Sequence, residues 1–392
     1  MRALLLLSLL LAFPAYADEL PEPTDAPAPE AAAPIEPITT SNVVEVKPEQ
    51  PATITLLSAV PAFAPWSTQK LYLDLDLVAQ GRYLSTPAED LSDIRLDRGE
   101  IGARIALGKN GAAEMRIESV RSAVEGGALG IDGDSMVIRV RYANVNGELT
   151  RGKLTVGGAL GFVQDPWIRA LEDGYTLRPL SRTGSERLLG WSPSDLSALV
   201  RAGVGPVRAT VTIGNGEGLR FPERNNGKTT TAVLEVVPLV RRDLRVVVAG
   251  VGRDGSIGIA RVRDRRVGGG ATIVTPTVRA GGEIVRAWGL GDRGDVEGTE
   301  LAAWADARVV EHVYVSARGA TLGIDAGRRT TYGGALVVEP WNDPTTRGRF
   351  RLWLAVDRIT SSGDAMPIPG ADPGDATIAM LIASATAPFT LD

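Results

Sequence analysis

From Leu71 to Leu84 the chain reads LYLDLDLVAQGRYL. Leu71, Leu73, Leu75, Leu77, Ala79, Gly81 and Tyr83 fall in one register, and Asp74, Asp76, Gln80 and Arg82 in the other. A helix would scatter those charges around its circumference, whereas a strand sends successive side chains to opposite faces. The pattern predicts one strand of about 14 residues, apolar on one side only, where about five or six residues is usual in soluble proteins.

The same alternation returns along the chain. Glu114, Arg116 and Glu118 oppose Ala113, Met115 and Ile117; Arg347, Arg349 and Arg351 oppose Gly348, Phe350, Leu352 and Leu354. Sixteen runs have strand character: 69–84, 94–107, 112–122, 135–147, 152–164, 195–203, 206–215, 228–240, 243–252, 267–277, 278–290, 298–308, 312–322, 331–340, 347–359 and 375–388. No comparable stretch has helical periodicity, and none offers about 18 uninterrupted apolar residues for a spanning helix.

The connections between these runs alternate long and short. The short ones are turns such as 108–111, 148–151, 204–205 and 309–311; the long ones include 85–93, 253–266, 323–330 and, longest of all, 165–194. A soluble sandwich has no reason to gather its long loops at one end. A transmembrane barrel has that layout, with an even strand count, and it must close because open sheet edges cannot be satisfied in hydrocarbon. The expected fold is therefore an all-β, transmembrane antiparallel β-barrel of about 16 strands, with long outside loops and short periplasmic turns. Its leucine faces meet lipid and its polar faces meet water. Tyr83, Phe162, Trp288 and Tyr332 then fall near the outer ends, and Tyr142, Tyr314, Phe350 and Phe389 near the inner ends, as interfacial aromatics do. With aromatics at 5% such girdles are thin.

Composition adds the compartment. Residues 1–17, one Arg and an apolar run ending in Ala-Tyr-Ala, read as a secretory signal peptide. The chain has no cysteine, so it has neither disulfides nor a thiolate metal site. Residues 18–65, rich in Pro, Ala and Glu, carry eight acids against Lys47 alone and read as an extended periplasmic linker. From residue 66 onward about 40 basic residues face about 39 acidic ones, which argues against nucleic acid as a partner.

Residues 66–392 resemble the sixteen-stranded porins of Gram-negative outer membranes, and more narrowly the phosphate-selective (anion-type) porin-like family. The segments that carry the likeness are VRYANVNGELTRGKLTVGGALGFV, LVRAGVGPVRATVTIGNGEG, TAVLEVVPLVRRDLRVVVAGVG and VRAGGEIV, the last with an inward Glu. The resemblance implies an outer-membrane channel, a homotrimer in contact with outer-membrane lipid and lipopolysaccharide, without a cofactor and without catalysis. It also implies that the third long connection, 165–194, folds into the lumen and narrows it. That connection carries Arg169, Glu172, Asp173, Arg178, Arg182, Glu186 and Arg187, and rings of fixed charge sort ions in a narrow pore. On the polar faces of the wall the expected pore-lining residues are Asp74, Asp76, Arg98, Glu100, Arg104, Glu114, Arg116, Arg139, Arg141, Glu235, Arg349 and Arg351. The guanidinium groups favour anions; the carboxylates on the same surface temper that preference. With five lysines in the chain, the family's phosphate specificity is not carried over. The chain also departs from the family in ending APFTLD, with its last aromatic, Phe389, three residues early.

Other chemistry is poorly supported. The single histidine, His312, falls in an inner turn, so a Ser-His-acid site lacks its base. Asp132 and Asp134 lack the bidentate Glu of a self-sufficient calcium loop, and the glycines of VGGGATIV precede no helix that could receive a phosphate. The expected function is passive diffusion of small hydrophilic solutes or ions, with two alternatives. One is a plugged structural barrel whose linker, residues 18–65, contacts the cell wall. The other is a soluble periplasmic β-rich binding protein.

Overall fold

The structure, a computed structural model, describes residues 71–86, 90–121, 136–172, 174–218, 226–241, 243–258, 261–290, 296–342, 348–363 and 375–391. The expected signal peptide and linker, the Asp132–Asp134 loop and Asp173 lie outside these residues.

The chain forms β1 (Leu71–Ser85), β2 (Asp90–Leu107), β3 (Gly111–Arg121), β4 (Met136–Arg151), β5 (Leu154–Gln164), β6 (Ser194–Val204), β7 (Val207–Gly214) and β8 (Thr229–Arg241). The second half adds β9 (Leu244–Ile257), β10 (Val262–Val274), β11 (Val278–Trp288), β12 (Glu297–Val310), β13 (Val313–Ile324), β14 (Gly327–Asn342), β15 (Arg349–Gly363) and β16 (Ala376–Leu391). Each strand pairs with its sequence neighbours, and β1 also pairs antiparallel with β16, which closes the barrel.

The alternation has its expected outcome. Leu77, Ile101, Val145, Leu160, Leu234, Ile284, Leu301, Leu354 and Leu381 are exposed on the outside, while Glu100, Glu283, Val337 and Ile382, each in the register opposite its exposed neighbour, are buried. Tyr83 and Tyr332 project outward near the loop end. Tyr142 and Tyr314 differ from expectation: Tyr142 lines an interior cavity, and the Tyr314 ring carries the inward Arg351 guanidinium 5.4 Å from its centroid. Neither belongs to an outer girdle.

Three connections expected to be long are short: 86–89, 258–261 and 325–326. The strands continue past the point where apolar alternation stops, because ladder hydrogen bonds do not require an apolar outer face. Asp254 on β9 and Arg263 on β10 show the cause. Both point outward, both are exposed, and they pair with each other at 2.9 Å. The turn expected at 148–151 lies at 152–153, since β4 runs on to Arg151. His312 does sit in a turn, between β12 and β13, with φ 63°.

Two of the bulges set which side chains of β2 and β4 face the lumen. In β2 Val78 pairs with Arg98 and Ala79 with Leu96, leaving Asp97 extra. In β4 Arg116 pairs with Tyr142 and Ile117 with Val140, leaving Arg141 extra. One extra residue reverses the inward parity beyond it. Arg141 and Tyr142 therefore both line the interior, although they are adjacent.

The long connection between β5 and β6 contains α1 (Pro166–Glu172) and α2 (Gly184–Leu188). It lies inside the barrel. α1 rests against β7–β10 and α2 against β12 and β13. Trp167, Ile168, Leu171, Leu177 and Trp191 are at most 2% exposed and join inward wall residues such as Val233, Val251, Val285 and Ala302 in one core. Burying side chains of this size contributes about 1.5–3 kcal/mol each.

Candidate functional site

The loop is fixed at its root. Asp165 Oδ1 accepts the backbone N–H groups of Trp167 (2.9 Å) and Ile168 (3.4 Å), and Oδ2 accepts the Trp191 indole N–H at 2.9 Å. A short acid just before a proline-initiated turn is a helix start, because the carboxylate satisfies orphan N–H groups and proline has none to lose. Burial pushes the Asp165 carboxyl above its ordinary value, and Arg253, 3.8 Å away, offsets this only in part. α2 begins with a capping box: Glu186 N–H donates to Thr183 Oγ1, and the Glu186 carboxylate accepts from the Thr183 backbone.

Between those helices the loop presses on the β10–β12 wall. The Trp304 indole donates to the Gly174 carbonyl at 3.2 Å, and its ring meets Tyr175 edge-on with centroids 5.1 Å apart. Thr176 Oγ1 donates to Asp306 at 3.1 Å. At Gly270 of β10 a Cβ would lie 3.1 Å from both Leu171 and Trp167, so α1 packs on bare backbone there.

Because the loop occupies that side, open space remains against β1–β4. A cavity of about 400 Å³ lies there, lined by Asp76, Arg98, Glu100, Arg116, Arg141, Tyr142, Gln164, Glu172, Arg178, Pro179 and Thr386. Glu100 is its hub. Arg116 Nη1 donates to it at 2.9 Å, Arg98 Nε lies 3.2 Å away, and Arg141 Nη1 donates to the other arginines' shared acceptor group as well. Arg116 also reaches Asp76 at 3.5 Å, and Thr386 donates its hydroxyl to Asp76.

From the loop side, Glu172 faces this wall. It receives Arg141 Nη2 at 3.4 Å and Arg178 Nη2 at 2.6 Å, and Gln164 donates to its second oxygen. Arg178 Nη1 holds Glu186 at 3.1 Å. Burial alone works to raise the Glu186 carboxyl, but Arg178, Arg182 and Arg141 outweigh it and hold the group below the ordinary value. Arg178 is correspondingly held in its charged form by Glu186 and Glu172 against the cost of burial.

The cavity brings together Asp76, Arg98, Glu100, Arg116 and Arg141 from the wall with Glu172 and Arg178 from the loop. Four guanidiniums meet three carboxylates, interleaved on one surface. Arg139 pairs with Glu118 at 2.6 Å, and Arg104 with Glu114 at 3.3 Å, both outside the cavity lining. Arg351 pairs with Glu339 at 2.6 Å, and Arg349 lies two residues before it on the same face of β15. Glu235 pairs with Arg208 at 3.3 Å in a smaller pocket of about 110 Å³, together with Arg169 and Arg201. Arg182 is exposed and accepts the Tyr175 hydroxyl on its carbonyl; Arg187 is half-buried. The Asp74 backbone pairs with Gly102 and Pro388, and its side chain lies outside the described atoms.

Several residues of the site were not among the expected site residues: Tyr142, Gln164 and Thr386 in the lining, and Trp167, Leu171, Leu177 and Trp191 as anchors. Asp165-Pro166 and the Thr183–Glu186 box were visible signals for the two helices. Nothing in the sequence marked the Arg141 bulge.

No family model matches the chain, and no curated protein does. Solved structures do match. The chain is similar to an anion-selective porin from Comamonas acidovorans, at 13% identity and a TM-score of 0.54, over 82% of this chain and 100% of that one. It is similar to OmpT, expressed in the outer membrane of Vibrio cholerae, at 9% identity and a TM-score of 0.52, over 83% of this chain and 100% of that one. A trimer form of the same Vibrio cholerae protein matches at 11% identity and a TM-score of 0.51, over 82% of this chain and 99% of that one.

Proposed function

We propose that this chain, whose barrel has the fold of the outer-membrane porins, is an outer-membrane channel for passive diffusion of small hydrophilic solutes and ions, with a weak preference for anions. The observation that carries this is the cavity of about 400 Å³ between the folded-in loop and β1–β4, lined by four guanidiniums and three carboxylates. A surplus of one positive charge in a narrow, low-dielectric opening raises the local concentration of anions. Extensive ion pairing keeps that surplus small.

The outward apolar band meets outer-membrane lipid and lipopolysaccharide. The assembly is a homotrimer, in line with the trimer form of one structural neighbour. Residues 1–17 direct export, and residues 18–65 lie in the periplasm within reach of the cell wall. One observation favours a second reading, a plugged structural barrel: Trp167, Ile168, Leu171 and Trp191 of the inner loop are buried in one apolar core with the inward wall residues.

Planar-bilayer conductance of refolded protein separates the two. Stable ohmic steps, with a small reversal potential of anion sign under a KCl gradient, are expected of the channel. No steps from barrels whose folding is verified by heat-modifiable gel mobility would leave the plugged barrel instead.

A further inference from the structure

Under α2 the barrel wall presents two carboxylates on neighbouring strands, Glu283 of β11 and Glu300 of β12, at 2% and 0% exposure. They are not equally served. Glu283 Oε1 accepts the Ser185 backbone N–H at 3.1 Å; its Oε2 accepts the Ser185 hydroxyl at 2.5 Å and the Trp167 indole N–H at 3.2 Å. Among the described residues, neither oxygen of Glu300 has a hydrogen-bond partner. The two groups flank one point: a Cβ at Gly184 would stand 2.0 Å from Glu300 Oε1, 3.1 Å from Glu283 Oε1 and 2.6 Å from the Ala302 Cβ. Only a residue without a side chain lets α2 lie this close.

A buried carboxylate with no donor from the described residues, beside a second carboxylate, is among the costliest groups a fold can hold. Two like charges sharing such a site do not both persist. One proton on Glu300 removes the conflict and leaves Glu283 as the ionised acceptor that α2 and Trp167 require. The geometry points to a proton-dependent latch, in which neutral Glu300 beside ionised Glu283 lets α2 dock on the wall, and loss of that proton to the lumen water releases α2.

The surrounding charges fit this assignment. From α2, Glu186 adds a further negative charge facing Glu283, and it is held by Arg178. Arg187 of α2 is a cation that acts on Glu300. From β13, Arg318 is engaged by Asp357 of β15; from β12, Asp306 is engaged by Thr176 and Ser316. From β10, Arg266 is engaged by Asp264.

The sign follows from proton counting. Docked, the pair holds one proton; released into water, both carboxyls are ionised at neutral pH. Raising pH therefore favours release, by one proton per event. Release reaches the opening mechanically, because Arg178 joins Glu186 of α2 to Glu172 in the cavity. Glu283 and Glu300 are thus positioning residues for the narrowing, a role beyond that of the channel itself.

Two readouts test this, one of them independent of conduction. Infrared spectra of the folded full-length protein at neutral pH are expected to contain the C=O stretch of a protonated carboxylic acid. It should disappear at alkaline pH together with protection of residues 165–193 from protease, and be missing from Glu300→Gln. In bilayers the wild type is expected to show a one-proton change of conductance on the alkaline side. Glu300→Gln, whose amide imitates the neutral acid, should keep the neutral-pH conductance and lose the change. Ser185→Ala, which weakens docking without altering either acid, should move the transition to lower pH. Absence of the infrared band from folded wild type, or an alkaline transition that survives in Glu300→Gln, would overturn the latch. A barrel that conducts nothing yet shows the band and the protease transition would overturn the channel reading and leave the latch standing.

Discussion

The indole N–H of Trp167 donates to Glu283 at 3.2 Å across 116 residues of sequence, and so fastens the inner loop to the far wall of the barrel. Trp167 is fully buried and shares its N–H with Ser185 Oγ, also at 3.2 Å. The pair helps hold the loop against that wall, and the cavity lies on the other side.

Replacing Trp167 with Ala is expected to cost the loop about 3–5 kcal/mol of anchoring, while the closed strand ladder persists. Bilayer recordings should show larger, noisier steps, and protease should cut within residues 165–193. A quiet, wild-type-like trace would show that the loop does not depend on this anchor.

Glu100 neutralises arginines from three positions, Arg98, Arg116 and Arg141. In Glu100→Gln those cations lose their shared acceptor and keep more distant acids such as Asp76 and Glu172. The reversal potential under a salt gradient should shift toward anions, by roughly twofold or more in permeability ratio given how strongly a narrow pore focuses a single charge. An unchanged potential would place the ion path away from this cavity.

Gly184→Ala sets a methyl group against Glu300 and Ala302. Overpacking of this kind typically costs about 1–3 kcal/mol, and here it acts on docking of α2 alone. Heat-modifiable mobility should be retained while protease protection of the loop is lost at neutral pH. Full protection would mean that α2 lies farther from the wall than described.

Acid should loosen the same loop by another route. The Glu186 carboxyl is held below its ordinary value of 4.5. Its ion pair with Arg178 therefore contributes stability that is present above that value and lost as pH falls through the folded value. Protease protection of residues 165–193 should decline below about pH 4.5 in the wild type and be less pH-dependent in Glu186→Gln.

Much of the barrel was legible because each strand states its own two faces, as Leu71–Leu84 does. The short connections 258–261 and 325–326 were not, since Asp254, Arg263 and Arg328 are polar on the outer face and a polar outer face reads as loop. Parity beyond Arg141 was also hidden, because a bulge costs one residue and leaves no compositional mark. In the site, the charged residues Glu172, Arg178 and Glu186 were recognisable from the length and charge of the connection that carries them. The anchors Trp167 and Trp191 were not, as a buried aromatic in a loop resembles any other until its wall is known. Glu283 was legible as an inward acid, but its relation to Glu300 depends on strand pairing and on Gly184 coming near enough to touch both.

The pairing of β1 with β16 brings Asp76 and Thr386 together across 310 residues. Joining such distant parts costs loop-closure entropy before any contact repays it. The seam can form only after every intervening strand exists, so assembly is expected to end in one slow, all-or-none event. Until that event both edge strands stay unsatisfied and open to pairing with a wrong partner. Protection of the unclosed chain from such pairing is therefore as much a requirement of this architecture as the apolar band itself.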